Sequence, residues 1–62
     1  MKRIHLYQVK LVDGQVYYGE IIYRDDKSIR LKQTNNEIIY LSQNAIMLIR
    51  DLGWRKIKWQ IK

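Results

Sequence analysis

Between Val9 and Asp25 the chain reads Val-Lys-Leu-Val-Asp-Gly-Gln-Val-Tyr-Tyr-Gly-Glu-Ile-Ile-Tyr-Arg-Asp, and no other stretch restricts the fold as much. Val9 and Leu11 alternate with Gln8 and Lys10, the period-two pattern of a half-buried strand. Asp13-Gly14 follows, the pairing expected where a two-residue primed turn with positive φ joins two antiparallel strands. Gly19 then falls inside the second strand, where a missing side chain marks a sharp bend or a close backbone approach. A long strand bent in its middle can belong to two sheets at once, which is how a very small barrel closes.

Sixty-two residues make one domain. A domain of this size buries only about 60% of its unfolded surface, so it needs support from disulfides, a metal or self-association. Cysteine is absent and His5 is the single histidine, which excludes disulfides and thiolate zinc sites and predicts no metal or other cofactor. Self-association or dense packing remains. Twelve Lys and Arg against six Asp and Glu leave a net charge of +6, which favours a polyanionic partner, nucleic acid ahead of a membrane surface. No apolar run approaches the roughly 20 residues needed to cross a bilayer. The opening Met1-Lys2-Arg3-Ile4-His5 lacks the apolar centre of a signal peptide, so a cytoplasmic location is expected. No nucleophile–base pair is visible, and Asp25-Asp26 in a turn lacks the burial that would shift a carboxyl into a catalytic role. The expectation is a protein without catalysis.

The rest of the chain continues as short β-rich runs separated by turn residues, the mark of an all-β sandwich or barrel. The first run spans 6–12 and the second 15–24, with a turn at Asp25-Asp26-Lys27. The third spans 28–34, with Ile29 and Leu31 predicted inward and Arg30 and Lys32 outward. Asn35-Asn36 is the next tight turn, because Asn tolerates left-handed backbone. The runs 37–41 and 45–49 differ in being apolar at nearly every position, with Ser42-Gln43-Asn44 between them. Such runs read as strands covered on both faces, and a domain this small cannot cover both faces of its last two strands. A second subunit is therefore expected against them, through strand pairing and apolar burial. A helix through Ala45–Ile49 is the alternative. From Leu52 onward, the alternation Lys56-Ile57-Lys58-Trp59-Gln60-Ile61-Lys62 favours a strand, although Trp54, Ile57 and Ile61 also fall at helical spacing.

From Val9 to Arg50 the chain resembles the Sm-like family, most closely its bacterial Hfq-type RNA chaperones. Gly14, Gly19 and Asp25 stand at the spacing of the first Sm signature, with aliphatic residues at Val9, Leu11, Ile21, Ile29 and Leu31 where that family places its core. Tyr40 follows an aliphatic pair, as in Hfq proteins, and Ala45-Ile46 is similar to the pair that opens their last strand. Ile49-Arg50-Asp51 is similar to part of the second Sm signature. The resemblance implies an all-β fold: a five-stranded, strongly bent small open barrel with a core over 6–50. Its fourth and fifth strands would pair between copies to close a homo-oligomeric ring of six or seven. The family's N-terminal helix has no room here, and 51–62 would be an extra, basic, Trp-containing tail. The resemblance also implies binding of single-stranded RNA, as an RNA chaperone. The family's uridine-pocket residues are replaced: Lys27 stands in place of the aromatic, Leu41-Ser42 in place of a Lys-His pair, and Ile29 in place of the uracil-reading Asn.

Single-strand binding requires cations along the phosphates and flat groups against the bases. Three candidate surfaces follow. On the pore side stand Lys27, the hydrogen-bonding edges of Ser42, Gln43 and Asn44, and the guanidinium of Arg50. On the opposite face stand Lys10, Gln15, Tyr17 and Tyr18; the two tyrosines point to opposite sides of a strand, so one is expected inward and one exposed. The tail contributes Arg55, Lys56, Lys58 and Lys62 interleaved with Trp54 and Trp59, a composition that serves equally for packed Trp under snorkelling Lys. Gly14, Gly19, Asp25 and Tyr40 are read as structural, with Asp25 bracing its turn. Two rival functions fit the same chain: a protein-assembly module of this fold that has lost the uridine pocket, and a small basic DNA-binding barrel.

Overall fold

Three residues connect the last two strands, and that short link decides the shape of the sheet. The computed structural model describes residues 2–57. Its strands are β1 (Lys2–Leu11), β2 (Val16–Arg24), β3 (Ser28–Gln33), β4 (Ile38–Ser42) and β5 (Ile46–Ile57), with a 3-10 turn at Gln43–Ala45. All pairings are antiparallel, in one open sheet of order β4-β3-β2-β1-β5, and no α-helix occurs among the described residues. The strands β4 and β5 are thus the two outer edges. The backbone from Ser42 to Ile46 reaches at most about 14 Å, whereas the edges of a flat five-stranded sheet stand about 19 Å apart. The sheet must curl to bring its edges within reach of the link.

Curling closes one face around a single core. Val9 and Leu11 from β1, Ile29 and Leu31 from β3 and Leu41 from β4 form the buried cluster, and Tyr17, Ile21, Ile39, Ile46 and Ile49 pack against it. Every strand therefore contributes. The predicted alternation of β3 holds: Ile29 and Leu31 are fully buried and Arg30 is exposed. Burying an aliphatic side chain of that size contributes about 1.5–3 kcal/mol. The runs that are apolar on both faces turn out to have one face in and one face out. Ile39 and Leu41 of β4 face the core while Ile38 and Tyr40 lie 47% and 71% exposed. In β5, Ile46 and Ile49 face the core, whereas Met47, 55% exposed, and Leu48 face outward.

Gly19 is where β2 changes partner. Val16–Gly19 pair with β1 and Gly19–Arg24 pair with β3, so the strand serves both neighbours in turn. The backbone of β3 comes so close that a Cβ on Gly19 would lie 2.3 Å from the Lys32 carbonyl oxygen. The close approach read from the sequence is present.

The first hairpin departs from expectation. The Gly14 N–H donates to the Leu11 carbonyl at 3.0 Å and the Leu11 N–H to the Gln15 carbonyl at 2.8 Å. Gly14 has φ 95° but Asp13 is not left-handed, so the loop is a three-residue turn with a glycine bulge rather than a two-residue primed turn. The second hairpin repeats the device: the Asn36 N–H donates to the Gln33 carbonyl, the Gln33 N–H to the Glu37 carbonyl, and Asn36 takes φ 76°.

The strand boundaries also extend beyond those expected. Instead of beginning at Leu6, β1 begins at Lys2; and 51–57, expected as part of a separate tail, continue β5, with His5 opposite Trp54 and Lys2 opposite Ile57. Asp51 and Gly53 build a bulge inside β5. The remaining tail positions, Lys58, Trp59 and Lys62 among them, lie outside the described residues.

Two substitutions test these backbone constraints. Gly19→Ala is expected to destabilise the fold by about 3 kcal/mol, because the added methyl meets backbone that cannot swing aside. Asn36→Gly is expected to stabilise it by about 0.5 kcal/mol through relief of left-handed backbone. Urea unfolding monitored by circular dichroism measures both.

Candidate nucleic-acid interface

Asp25 organises the loop that carries Lys27. Its Oδ1 accepts the Lys27 and Ser28 backbone N–H groups, both at 2.8 Å, and its Oδ2 accepts the Tyr23 hydroxyl at 2.9 Å. Those N–H donors, Lys27 first, hold the Asp25 carboxyl below the ordinary carboxylate range. The same carboxylate pushes the Tyr23 hydroxyl up, by accepting its hydrogen bond and by its charge. Asp25 is structural, as the sequence implied.

The turn between β4 and β5 is stitched to this loop. Gln43 donates its backbone N–H to the Lys27 carbonyl at 2.8 Å and its side-chain amide to the Asp25 carbonyl at 3.0 Å. The Ser42 hydroxyl caps the 3-10 turn by accepting the Asn44 N–H at 3.3 Å. Four of the five pore-side candidates, Lys27, Ser42, Gln43 and Asn44, are therefore assembled in one place by residues far apart in the chain. Gln43 works chiefly as the stitch; Lys27, Ser42 and Asn44 are the exposed members. Leu41, next to them, is in the core and offers nothing to a ligand.

Beside these loops lies an aromatic and cationic ladder that sequence reasoning missed. Arg30 pairs across the sheet with Tyr23 on one side and Tyr40 on the other. Its guanidinium lies 4.8 Å from the Tyr23 ring centroid and 5.1 Å from that of Tyr40. A cation held between two rings is the composition that single-strand binders place against bases and phosphates. The one signal in the sequence was the outward position of Arg30. Its pairing with Tyr23 depends on a register shift between Ile21 and Tyr23 that no periodicity reveals. Tyr40, read as a signature residue, is the most exposed ring of this set.

The other candidates occupy different surfaces. Arg50, grouped with the pore-side set from sequence, stands opposite Gln8 on β1, which in turn stands opposite Tyr18 on β2. Arg50 therefore shares the outer face with Tyr18 and Lys10, because directly paired residues point to the same side of a sheet. Tyr18 is exposed and its hydroxyl accepts the Gln8 amide at 3.2 Å. Tyr17 is the inward tyrosine; it packs on the core and donates its hydroxyl to Gln15 at 2.6 Å. Trp54, Arg55 and Lys56 are exposed on the C-terminal half of β5, where the Arg55 guanidinium donates to the Trp54 carbonyl at 3.3 Å. Opposite Trp54, His5 Nε2 lies 2.5 Å from Asp51 Oδ1, which also accepts the Gly53 N–H at 2.8 Å. The Gly53 N–H and then His5 hold the Asp51 carboxyl below its ordinary range. Among the described residues no group of three or more His, Asp or Glu could hold a metal ion.

Comparison with known proteins finds no matching family model, no matching curated protein and no matching solved structure.

The lowered carboxyls set an acid limb. A carboxyl depressed in the folded state adds stability above its unfolded value, and that stability disappears as pH falls through the folded value. The urea midpoint is expected to drop as pH falls through and below the ordinary carboxylate range. In Asp25→Ala the midpoint is already lowered at neutral pH, and its gap to the unsubstituted protein narrows as pH falls. A gap independent of pH would assign the effect of Asp25 to packing alone.

Proposed function

We propose that this protein is an Sm-like, ring-forming binder of single-stranded RNA that acts without catalysis, holding or presenting RNA as a chaperone does. The carrying observation is the pair of unmatched sheet edges. The strand β4 pairs only with β3, and β5 only with β1, so among the described residues each edge has one free side. Both edges expose apolar side chains, Ile38 and Tyr40 on one, Met47 and Leu48 on the other. An exposed apolar edge is a template for strand addition. Pairing β4 of one copy with β5 of the next is a head-to-tail contact, which generates a ring when the rotation closes. The strand order, the curled five-stranded sheet and the two free edges agree with what the resemblance to Sm-like proteins implies.

The RNA half of the proposal rests on charge and on the loops. Six copies at +6 each would concentrate about 36 positive charges. The Lys27 and Ser42–Asn44 segments, with the Tyr23–Arg30–Tyr40 ladder beside them, would repeat around such a ring next to each junction. Uridine selectivity is not part of the proposal, since Leu41 is buried and Ser42 replaces the family's cationic partner. That loss favours the rival reading, an assembly module for a protein partner.

Light scattering on the purified protein is expected to give six or seven times the 7.6 kDa subunit mass. Labelled single-stranded RNA should bind at low salt and weaken steeply as salt rises, through release of counterions. A stable single-copy species at micromolar concentration would remove the ring. A ring that binds no single strand at low salt, yet retains a protein partner after nuclease treatment, would establish the assembly module instead.

A further inference from the structure

Along one face of β1 the side chains run from the core outward: Leu11 and Val9 buried, Tyr7 and His5 half-buried, Arg3 exposed. The strand that should cover this face, β5, does something else. Tyr7 stands opposite Asp51 and His5 opposite Trp54, so two steps along β1 are matched by three along β5. The extra residue is accommodated at Leu52-Gly53, where Gly53 takes φ 79° and its N–H is held by the Asp51 carboxylate. Without that bulge, Trp54 would point to the opposite side of the sheet; with it, Trp54 faces the same way as Asp51. The bulge thus sets an indole beside an imidazole that is itself stacked on a phenol. The Tyr7 and His5 rings lie 4.8 Å apart at 15°, and the His5 and Trp54 rings 5.1 Å apart at 35°. Asp51 anchors the central ring through His5 Nε2.

This row of rings is not part of the core. Trp54 remains 60% exposed, and none of the three rings belongs to the buried cluster or to the residues packed on it. The next cross-strand pair on this face is Arg3 opposite Lys56, both exposed. Arg55, opposite Ile4, points to the other face, and Asp51, the acid opposite Tyr7, is already bonded to His5 and Gly53. An exposed indole held in a fixed orientation beside two cations matches a ligand with flat faces and a repeating negative charge.

We propose that Trp54, held in place by His5 and Tyr7 behind it, is a base-stacking platform for single-stranded nucleic acid, with Arg3 and Lys56 neutralising phosphates of the same strand. The platform is separate from the Lys27–Gln43 loops and depends on the proposed RNA-binding function only for the class of its ligand. Every base has a π face, so stacking tolerates any sequence and does not require a 2′-hydroxyl. The platform is therefore expected to accept single-stranded DNA as well as RNA.

The test uses the full chain with Trp59→Phe, so that Trp54 is the only indole. Twelve-nucleotide oligo(A), as RNA and as DNA, is expected to quench Trp54 fluorescence on titration, whereas polyglutamate and anionic phospholipid vesicles are not. Trp54→Ala should weaken binding by roughly tenfold, the scale of losing one stacked base. The double variant Arg3→Gln/Lys56→Gln should lower the slope of log affinity against log salt by about 1.4, the contribution of two single-strand phosphate contacts. Circular dichroism confirms that each variant is folded, and the quenching experiment needs no variant at Trp54. Oligonucleotides that bind by filter retention while Trp54 stays unquenched would overturn the platform and leave the proposed function standing. Failure of any single strand to bind overturns both. Quenching by polyglutamate or vesicles equal to that by oligo(A) would replace the nucleic acid with an acidic protein or a lipid surface.

Discussion

The structure depends on a mismatch between chain length and sheet width. The two strands farthest apart in hydrogen-bonding order are joined by Gln43–Ala45 alone, so the sheet has no choice but to curl. Curling allows five short strands to share one core centred on Ile29 and Leu31 without a second layer. It also brings the turn after β4 onto the loop after β2, where Gln43 joins Asp25 and Lys27. A sheet curled by a short link remains open between β4 and β5, and the same constraint that makes the core leaves, among the described residues, two apolar edges each paired on one side. The fold's economy and the proposed ring have one cause.

A second regularity concerns how the chain turns without proline. Asp13, Asp25, Asn35 and Asp51 each accept, through a side-chain oxygen, the backbone N–H two residues on: Gln15, Lys27, Glu37 and Gly53. This is the local bond by which short polar side chains imitate a backbone turn. Three of the six acidic residues are thereby committed to shaping loops and a bulge. Among the described cations, Lys27, Arg50, Arg55 and Lys56 are exposed on the outer surfaces, while Arg30 lies over the Tyr23 and Tyr40 rings.

Much of the fold was legible. Alternation in β1 and β3 named Val9, Leu11, Ile29 and Leu31 correctly but missed the fully buried Ile4, and Gly19 marked the place where β2 passes from one neighbour to the next. The half-exposure of β4 and β5 was legible only as a contradiction, two runs too apolar for a domain this small. The continuation of β5 through Asp51 and Gly53 was not read, because only pairing with β1 shows that these residues build a bulge inside a strand. The site was legible in part. Lys27, Ser42, Gln43 and Asn44 were named together and are together, but Arg50 belongs to another face. The Tyr23–Arg30–Tyr40 ladder and the Tyr7–His5–Trp54 row went unseen, since each depends on a register shift of one residue, and such a shift moves every later side chain to the other face.

The sequence by itself determined the all-β class, the positive balance and the inward aliphatic residues Val9, Leu11, Ile29 and Leu31, because period-two patterning and turn chemistry act between near neighbours. The tertiary structure alone decided which edges stay free, which loops meet and which rings stack. Those outcomes follow from strand order and from single-residue bulges, which arise from hydrogen bonds between segments far apart in the chain, such as those joining His5 to the strand that holds Trp54.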